Sequence, residues 1–285
     1  MLKRELSDWP GGVESVWPLV DAESIRALRA GTQPDGRALR VSSELGEEEL
    51  AGSAFVRNGM VLLRAAAEGG EVLRITSNGT LSLASVARMR AAMTWPDMEA
   101  TEHFRDGTKY RERDLWELHL LRRMVQEAGL IERGARSFGL TAPGRRMLDA
   151  GNRGALQALL FRVFFWHMDL SLFLGWHARR VPGRWPQNDI GVVLWALAGV
   201  ADEWQSADTL AVTCTDPENP APHGYRGRPA MLFVSRVLVP LCWFGVMEWR
   251  EMQEMFDVRR WRKTGLFDRL LSFNVQLADS RPDGH

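Results

Sequence analysis

Cysteine is scarce. Cys214 and Cys242 are the only two in 285 residues, and no Cys-x-x-Cys occurs. That excludes the dense disulfide framework of small secreted domains and the usual thiol-rich metal knuckles. The amino-terminal MLKRELSDWPGG lacks the apolar run of a signal peptide, so a cytoplasmic location is expected. Net charge is missing as well: 36 basic and 36 acidic side chains balance to zero. A nonspecific polyanion binder is usually basic overall, so the balance weighs against that role for the whole chain. Long uncharged apolar runs are also lacking. Residues 156–176 would be long enough to span a bilayer but contain Arg162, His167 and Asp169. Residues 231–249 contain Arg236, Pro240 and Glu248. Charges at such depths are costly, so both stretches read as buried core helices, and no membrane partner is expected.

The common catalytic signatures are absent too. There is no Gly-x-x-x-x-Gly-Lys-Ser/Thr, no Gly-x-Gly-x-x-Gly, no Gly-x-Ser-x-Gly and no His-Glu-x-x-His. A phosphate-cradling loop, a dinucleotide fold and a hydrolase elbow therefore have no support. The histidines are His103, His119, His167, His177, His223 and His285. His167 and His177 could meet Glu203 or Asp208 in a helical bundle and imitate a metal site. Their spacing is unspecific, and their aromatic neighbours favour ordinary buried or interfacial histidines; no metal and no cofactor are expected. Cys214 lies near Asp216 and His223, but a cysteine nucleophile needs a positioned base and an oxyanion donor, and neither can be located. Cys242 reads as a small buried hydrophobe. The Gly-Tyr-Arg-Gly-Arg run at 224–228 could bind an anion, although an exposed loop accounts for it more simply. The twelve tryptophans concentrate in the second half, where core packing is the better explanation than a ligand groove.

What is present is a mainly helical chain organised around residues 114–150. Asp114 is the expected N-cap, with Glu117 completing a capping box. Leu118, Leu121, Val125 and Ala128 line one face at helical spacing, with Met124 beside them, while Arg122, Arg123 and Gln126 face elsewhere. Gly129 stops the helix. Leu130–Ile131 and 138–140 form a hairpin around a polar loop, and Thr141 caps a further helix that tolerates Pro143 in its first turn. Gly144 follows, and Met147 and Leu148 anchor this helix to the core. The pattern of a helix, AGLIER, a short loop and FGLTxPGRRML resembles the wing segment of bacterial winged-helix proteins. More narrowly, residues 73–150 resemble a helical, winged-helix-like region found beside plasmid pRiA4b ORF-3-like domains. The resemblance rests on the ITSNGTL run at 75–81 and the Leu-rich helix at 118–130. It implies a fold and carries no biochemical role.

A looser copy is expected near the carboxyl end. Phe244-Gly245-Val246-Met247-Glu248 matches Ala128-Gly129-Leu130-Ile131-Glu132, and Thr264 with Gly265 matches Thr141 with Gly144 after a longer insert at 249–263; coincidence of a helix stop and a helix start is the plainer alternative. The expected fold is therefore a helical protein with two winged-helix-like units and short β-wings. Its parts are an irregular and helical segment at 1–50, a first winged-helix-like unit at 51–155, and an aromatic-rich helical unit at 156–280 that carries the second wing.

Arg122, Arg123, Arg133, Arg136, Arg145, Arg146 and Arg153 crowd the first wing. A non-catalytic binding or regulatory role follows, with double-stranded DNA as the partner to test first. The helix at 114–128 would approach the major groove and the loop at 133–136 the phosphates, with Arg122, Arg123, Arg133, Arg136 and Arg145 as contacts. Two features oppose it. Residues 94–109 are too long and polar for a tight turn before that helix, and Glu248, Glu251 and Glu254 beside the second wing would repel phosphate, leaving the first copy as the only DNA contact. The alternatives are a protein partner or self-association with the wings as scaffold, and an enzyme with an unrecognised site.

Overall fold

The computed structural model describes residues 14–29, 38–69, 72–96, 109–172, 183–219, 229–252 and 258–278. In chain order the elements are α1 (Ala22–Arg29), β1 (Leu39–Val41), α2 (Ala54–Glu68), α3 (Leu83–Ala92), α4 (Trp116–Glu127), β2 (Ile131–Arg133), β3 (Phe138–Leu140), α5 (Ala142–Arg146) and α6 (Arg153–Arg162). They continue with α7 (Ile190–Val200), β4 (Gln205–Ser206), α8 (Ala207–Cys214), α9 (Pro229–Phe233), α10 (Val239–Trp243), β5 (Met247–Met252), β6 (Val258–Lys263), α11 (Gly265–Leu270) and β7 (Leu271–Phe273). The chain is thus mainly helical, with small antiparallel sheets. Among the described residues no helix is long and apolar enough to cross a membrane.

Two compact units divide the chain. The first is Ser42–Gly175 with Trp243–Gly245; the second is Met1–Val41, Trp176–Cys242 and Val246–His285. The aromatic stretch after Leu156 packs within the first unit, where its composition had suggested the carboxyl-terminal part.

In the first unit, Ser53 caps α2 by accepting the Val56 N–H at 3.2 Å. This helix buries Phe55, Met60, Leu62 and Leu63. Residues 73–75 then bond to the hairpin backbone without forming a strand: Ile75 N–H donates to the Arg136 carbonyl at 2.9 Å and Phe138 N–H to the Leu73 carbonyl at 3.0 Å. Ser82 caps α3 through the Ser85 N–H, and α4 and the β2–β3 hairpin follow, with Ile131 opposite Leu140 and Arg133 opposite Phe138.

One correction concerns the approach to α4. Asp114 does not cap it; its carboxylate accepts the Arg111 N–H at 2.8 Å and closes a separate 3-10 turn at Glu112–Asp114, so α4 starts at Trp116. Within the segment at 1–50, residues 47–50 form turns.

The first unit's core is aromatic. Phe55 meets Trp95, Trp243 and Phe244 at centroid distances of 5.7, 5.6 and 4.5 Å, and Phe161 meets Phe244 at 4.9 Å. Such rings pack in tilted and edge-on pairs that add to their burial. One polar group threads this core: Gln157 accepts from the Ser53 hydroxyl and donates to the Phe244 carbonyl, both at 2.8 Å, so neither end of its amide is buried unsatisfied.

Gly129 takes φ +68°, and beyond it the Leu130 N–H returns to the Val125 carbonyl at 3.0 Å. A Cβ there would meet nothing within 4 Å, so Gly129→Ala isolates the conformational cost. Urea melts should show a loss of about 1 kcal/mol, the price of holding an L-residue in the left-handed region.

The second unit runs through helix (α7), strand (β4), helix (α8), helical run (229–243), hairpin (β5–β6) and short helix (α11), with strand order β4-β6-β5. Ser206 caps α8 by accepting the Thr209 N–H at 3.0 Å. Helix α1 lies so close to α7 that a Cβ on Gly191 would sit 2.3 Å from the Leu28 carbonyl oxygen. The buried Trp17 indole donates to the Cys214 carbonyl at 3.0 Å, and Arg29 ties Asp189 to Asp216 at 2.7 and 2.9 Å. Buried Arg236 donates to the carbonyls of Gly183 and Trp185. Backbone carbonyls thus take up part of the charge that spoils residues 231–249 as a membrane span, through Nη1 alone.

Candidate nucleic-acid interface

The hairpin of the first unit is positioned from three sides. Gly129 ends α4, residues 73–75 bond to the hairpin backbone through an isolated bridge, and the Thr141 hydroxyl reaches the Gly129 carbonyl at 2.7 Å while accepting the Gly144 N–H at 3.0 Å. Gly144 must be glycine because α5 presses on the hairpin there: an added Cβ would lie 2.0 Å from the Leu130 carbonyl oxygen. The inward residues Ile131 and Phe138 are buried. At the other end the hairpin turn closes with Gly134 N–H donating to the Ser137 carbonyl at 2.9 Å.

Around that turn Arg74, Arg133 and Arg136 are exposed. Arg74 forms an isolated bridge with Ser137, next to Arg136. Arg133 lies over the 77–79 turn, with its guanidinium 3.5 Å from the Ser77 carbonyl oxygen. Arg74 was not singled out by sequence pattern; a single bridge, with no strand around it, brings it to the hairpin. Arg123 and Arg145 are exposed on α4 and α5.

Arg122 is different and leaves the set of surface contacts. It is 3% exposed, and its guanidinium grips Glu112, with Nε 2.8 Å and Nη2 2.7 Å from Oε1. A third donor reaches Gln126 at 2.8 Å, and the guanidinium carbon lies 5.2 Å from the Phe138 ring centroid. Glu112 also holds His119 Nδ1 at 2.7 Å and accepts the Leu81 N–H. Burial pushes the Glu112 carboxyl up, but the His119 and Arg122 contacts outweigh it and hold its pKa below the usual carboxylate value. Burial pulls the Arg122 pKa down, with Glu112 opposing. The cluster ties the segment before α4 to the hairpin. The apolar periodicity of α4 gave no hint of it, because the counter-charge comes from outside that helix.

The remaining structural glycines and caps divide. Gly245 has φ +74°, and its Cβ position would be 2.9 Å from the Gly52 carbonyl carbon. Thr264 makes no side-chain cap bond, although its N–H donates to the Val246 carbonyl at 2.9 Å. Gly265 has nothing within 4 Å of its Cβ position and so does not play the part of Gly144.

Cys214 is fully buried and its thiol pKa is pushed up by that burial, the reverse of what a nucleophile requires. His167 is exposed. Among the described residues no three His, Cys, Asp or Glu side chains come close enough together to hold a metal ion. His103, His177, His223, His285, Glu254 and the run at 224–228 lie outside the described residues.

Residues 51–153 match the family model of the Y4jL N-terminal domain, a domain of unassigned role. No curated protein and no solved structure matches the chain.

Proposed function

We propose that both units are winged-helix modules and that the protein is a non-catalytic binding protein that contacts double-stranded DNA through the hairpin of the first unit. The observation that carries the reading is the grouping of exposed Arg74, Arg133 and Arg136 around one hairpin turn. Guanidinium groups suit phosphate because their planar fork matches its oxygens.

The architecture supports it. Each unit runs helix, short extended segment, helix, helix, hairpin, the segment being an isolated bridge at Arg74 in the first unit and strand β4 in the second. Backbone details recur: Leu130 and Val246 N–H donate to Val125 and Leu241 carbonyls, both at 3.0 Å, and Thr141 and Thr264 N–H return to Leu130 and Val246 at 3.1 and 2.9 Å. Ser82 and Ser206 cap corresponding helices. A link to proteins carrying pRiA4b ORF-3-like domains fits this architecture and is part of the same proposal.

The mode of contact differs from helix-in-groove reading. Helix α4 buries Leu118, Leu120, Leu121, Arg122, Met124 and Val125, and its exposed side chains are Arg123 and Glu127. Phosphate contacts through the wing therefore dominate, and sequence discrimination is weak. A protein partner or self-association is the second reading, favoured by exposed Leu83, Val212 and Met231.

Fluorescence anisotropy on a labelled, mixed-sequence duplex tests this. The wild type should bind at low salt and weaken as salt rises. R133A/R136A should bind more weakly and flatten the salt slope by about 2, as expected for two lost phosphate contacts. No binding at low salt sinks the DNA reading and leaves the protein-partner one.

A further inference from the structure

The loop beside the first hairpin is itself a tight turn. Ile75 and Leu81 form an isolated bridge, the Thr76 N–H donates to the Thr80 carbonyl at 2.7 Å, and the Gly79 N–H returns to the Thr76 carbonyl at 2.9 Å. Gly79 takes φ +75°, the left-handed residue that closes a short loop of this kind. Both ends are anchored. The Ile75 N–H donates to the Arg136 carbonyl of the hairpin at 2.9 Å, and the Leu81 N–H donates to the buried Glu112 carboxylate. The turn is therefore a fixed surface next to the loop at 133–136.

Arg133 lies on that surface. It is opposite Phe138 in the hairpin register, so it shares a face with Phe138 and Ile131, which are buried. At the tip of the hairpin that face runs past the core and over the turn, and Arg133 stays exposed. Its Nη2 is 3.5 Å from the Ser77 carbonyl oxygen. Gly79 makes the room: a Cβ there would be 2.5 Å from Arg133 Nη1 and 2.7 Å from its Cζ. Any side chain at this position lifts the guanidinium off the turn.

This pose orients the cation without neutralising it. A carboxylate partner would cancel the charge, whereas a carbonyl only turns the fork. The side chains exposed on the turn are Thr76, Ser77 and Asn78, none of them charged. The Arg133 donors that do not face Ser77 have no acceptor among the described residues. A long side chain normally loses rotamer freedom when it takes a phosphate; one already laid on a fixed turn loses less.

We propose that Gly79 is a positioning residue for the DNA contact: the space it leaves empty lets the turn hold the Arg133 fork ready for a backbone phosphate. The proposal rests on the DNA-binding reading above and deepens it by separating the orientation of Arg133 from its charge.

A double-mutant cycle in the full-length chain tests this. G79A and G79N, each alone and combined with R133A, are compared with wild type, R133A and R133A/R136A in the same duplex titration across salt. Thermal melts identify the folded variants. Asn adopts the left-handed backbone more readily than Ala, so G79N keeps the turn while filling the space, and it carries the comparison if G79A does not fold. Each Gly79 variant should weaken wild-type binding about fivefold, the effect of losing the preorganisation of one long side chain. In the R133A background there is no guanidinium to displace, and the same changes should alter affinity by less than about twofold. Equal losses in the two backgrounds would mean that Gly79 acts through the turn alone and would overturn the proposal. So would a folded Gly79 variant that binds as tightly as wild type. Failure of the underlying reading looks different: a wild type that binds no duplex, or an R133A/R136A variant with unchanged affinity and salt slope, removes the hairpin contact itself.

Discussion

Glu112→Ala should destabilise the protein by about 3–5 kcal/mol, because it strands a buried guanidinium without its counter-charge. Arg122 is 3% exposed and Glu112 is 1% exposed, so neither group can recover hydration without the fold opening. The double variant E112A/R122M should regain most of the loss, since an apolar side chain of similar length removes the orphaned charge along with its partner. Urea melts of the two variants test this, and a double variant no better than E112A would mean that the hydrogen bond to Leu81 matters more than the charge pair.

The same group sets a pH dependence whose sign can be worked out. The folded pKa of Glu112 lies below its ordinary value, so the carboxylate form is favoured by folding. Its contribution is complete above the ordinary carboxylate pKa and disappears as pH falls through the depressed folded value. Glu112→Gln should remove that acid-side slope. A Gln variant whose stability tracks wild type from neutral to acid pH would show that Glu112 is not the linked group.

Gly144→Ala should be nearly as damaging, at about 3 kcal/mol, through overlap rather than charge. The new methyl would be 2.0 Å from the Leu130 carbonyl oxygen and 2.8 Å from Leu140 Cδ1. The leucine tip can swing aside; the carbonyl cannot, because it already accepts the Thr141 N–H at 3.1 Å. Relief therefore requires α5 to lift from the hairpin and break its Thr141 cap. Gly265→Ala, with nothing within 4 Å of its Cβ position, is the control and should change stability by no more than about 0.5 kcal/mol. Equal effects at the two sites would refute the packing argument.

The local features were readable in the chain because their causes are local. Gly129 is a stop because the backbone needs a left-handed residue there, and Thr141 is a cap because a hydroxyl three residues ahead of Gly144 reaches its N–H. Residues 73–75 bond to the hairpin, but nothing in them names Arg136 and Phe138 as partners. Arg122 read as outward-facing, since helical spacing alone treats a charged side chain as solvated. Its burial depends on Glu112, which belongs to a separate turn created when Asp114 bonds the Arg111 N–H. The acidic residues of the second hairpin were legible as charges but not as pairs. Only the register that sets Glu248 across from Arg262 shows them neutralised.

Trp243 and Phe244 close the aromatic core of the first unit, although the chain has by then traversed the helices of the second. Synthesis proceeds from the amino end, so Phe55, Phe161 and Phe164 leave the ribosome well before the rings that complete their packing. The stretch at 51–153 that matches a known domain thus meets two of the ring partners of Phe55, Trp243 and Phe244, only once residue 244 has emerged, and that interval is when a nascent-chain chaperone would have the most to hold.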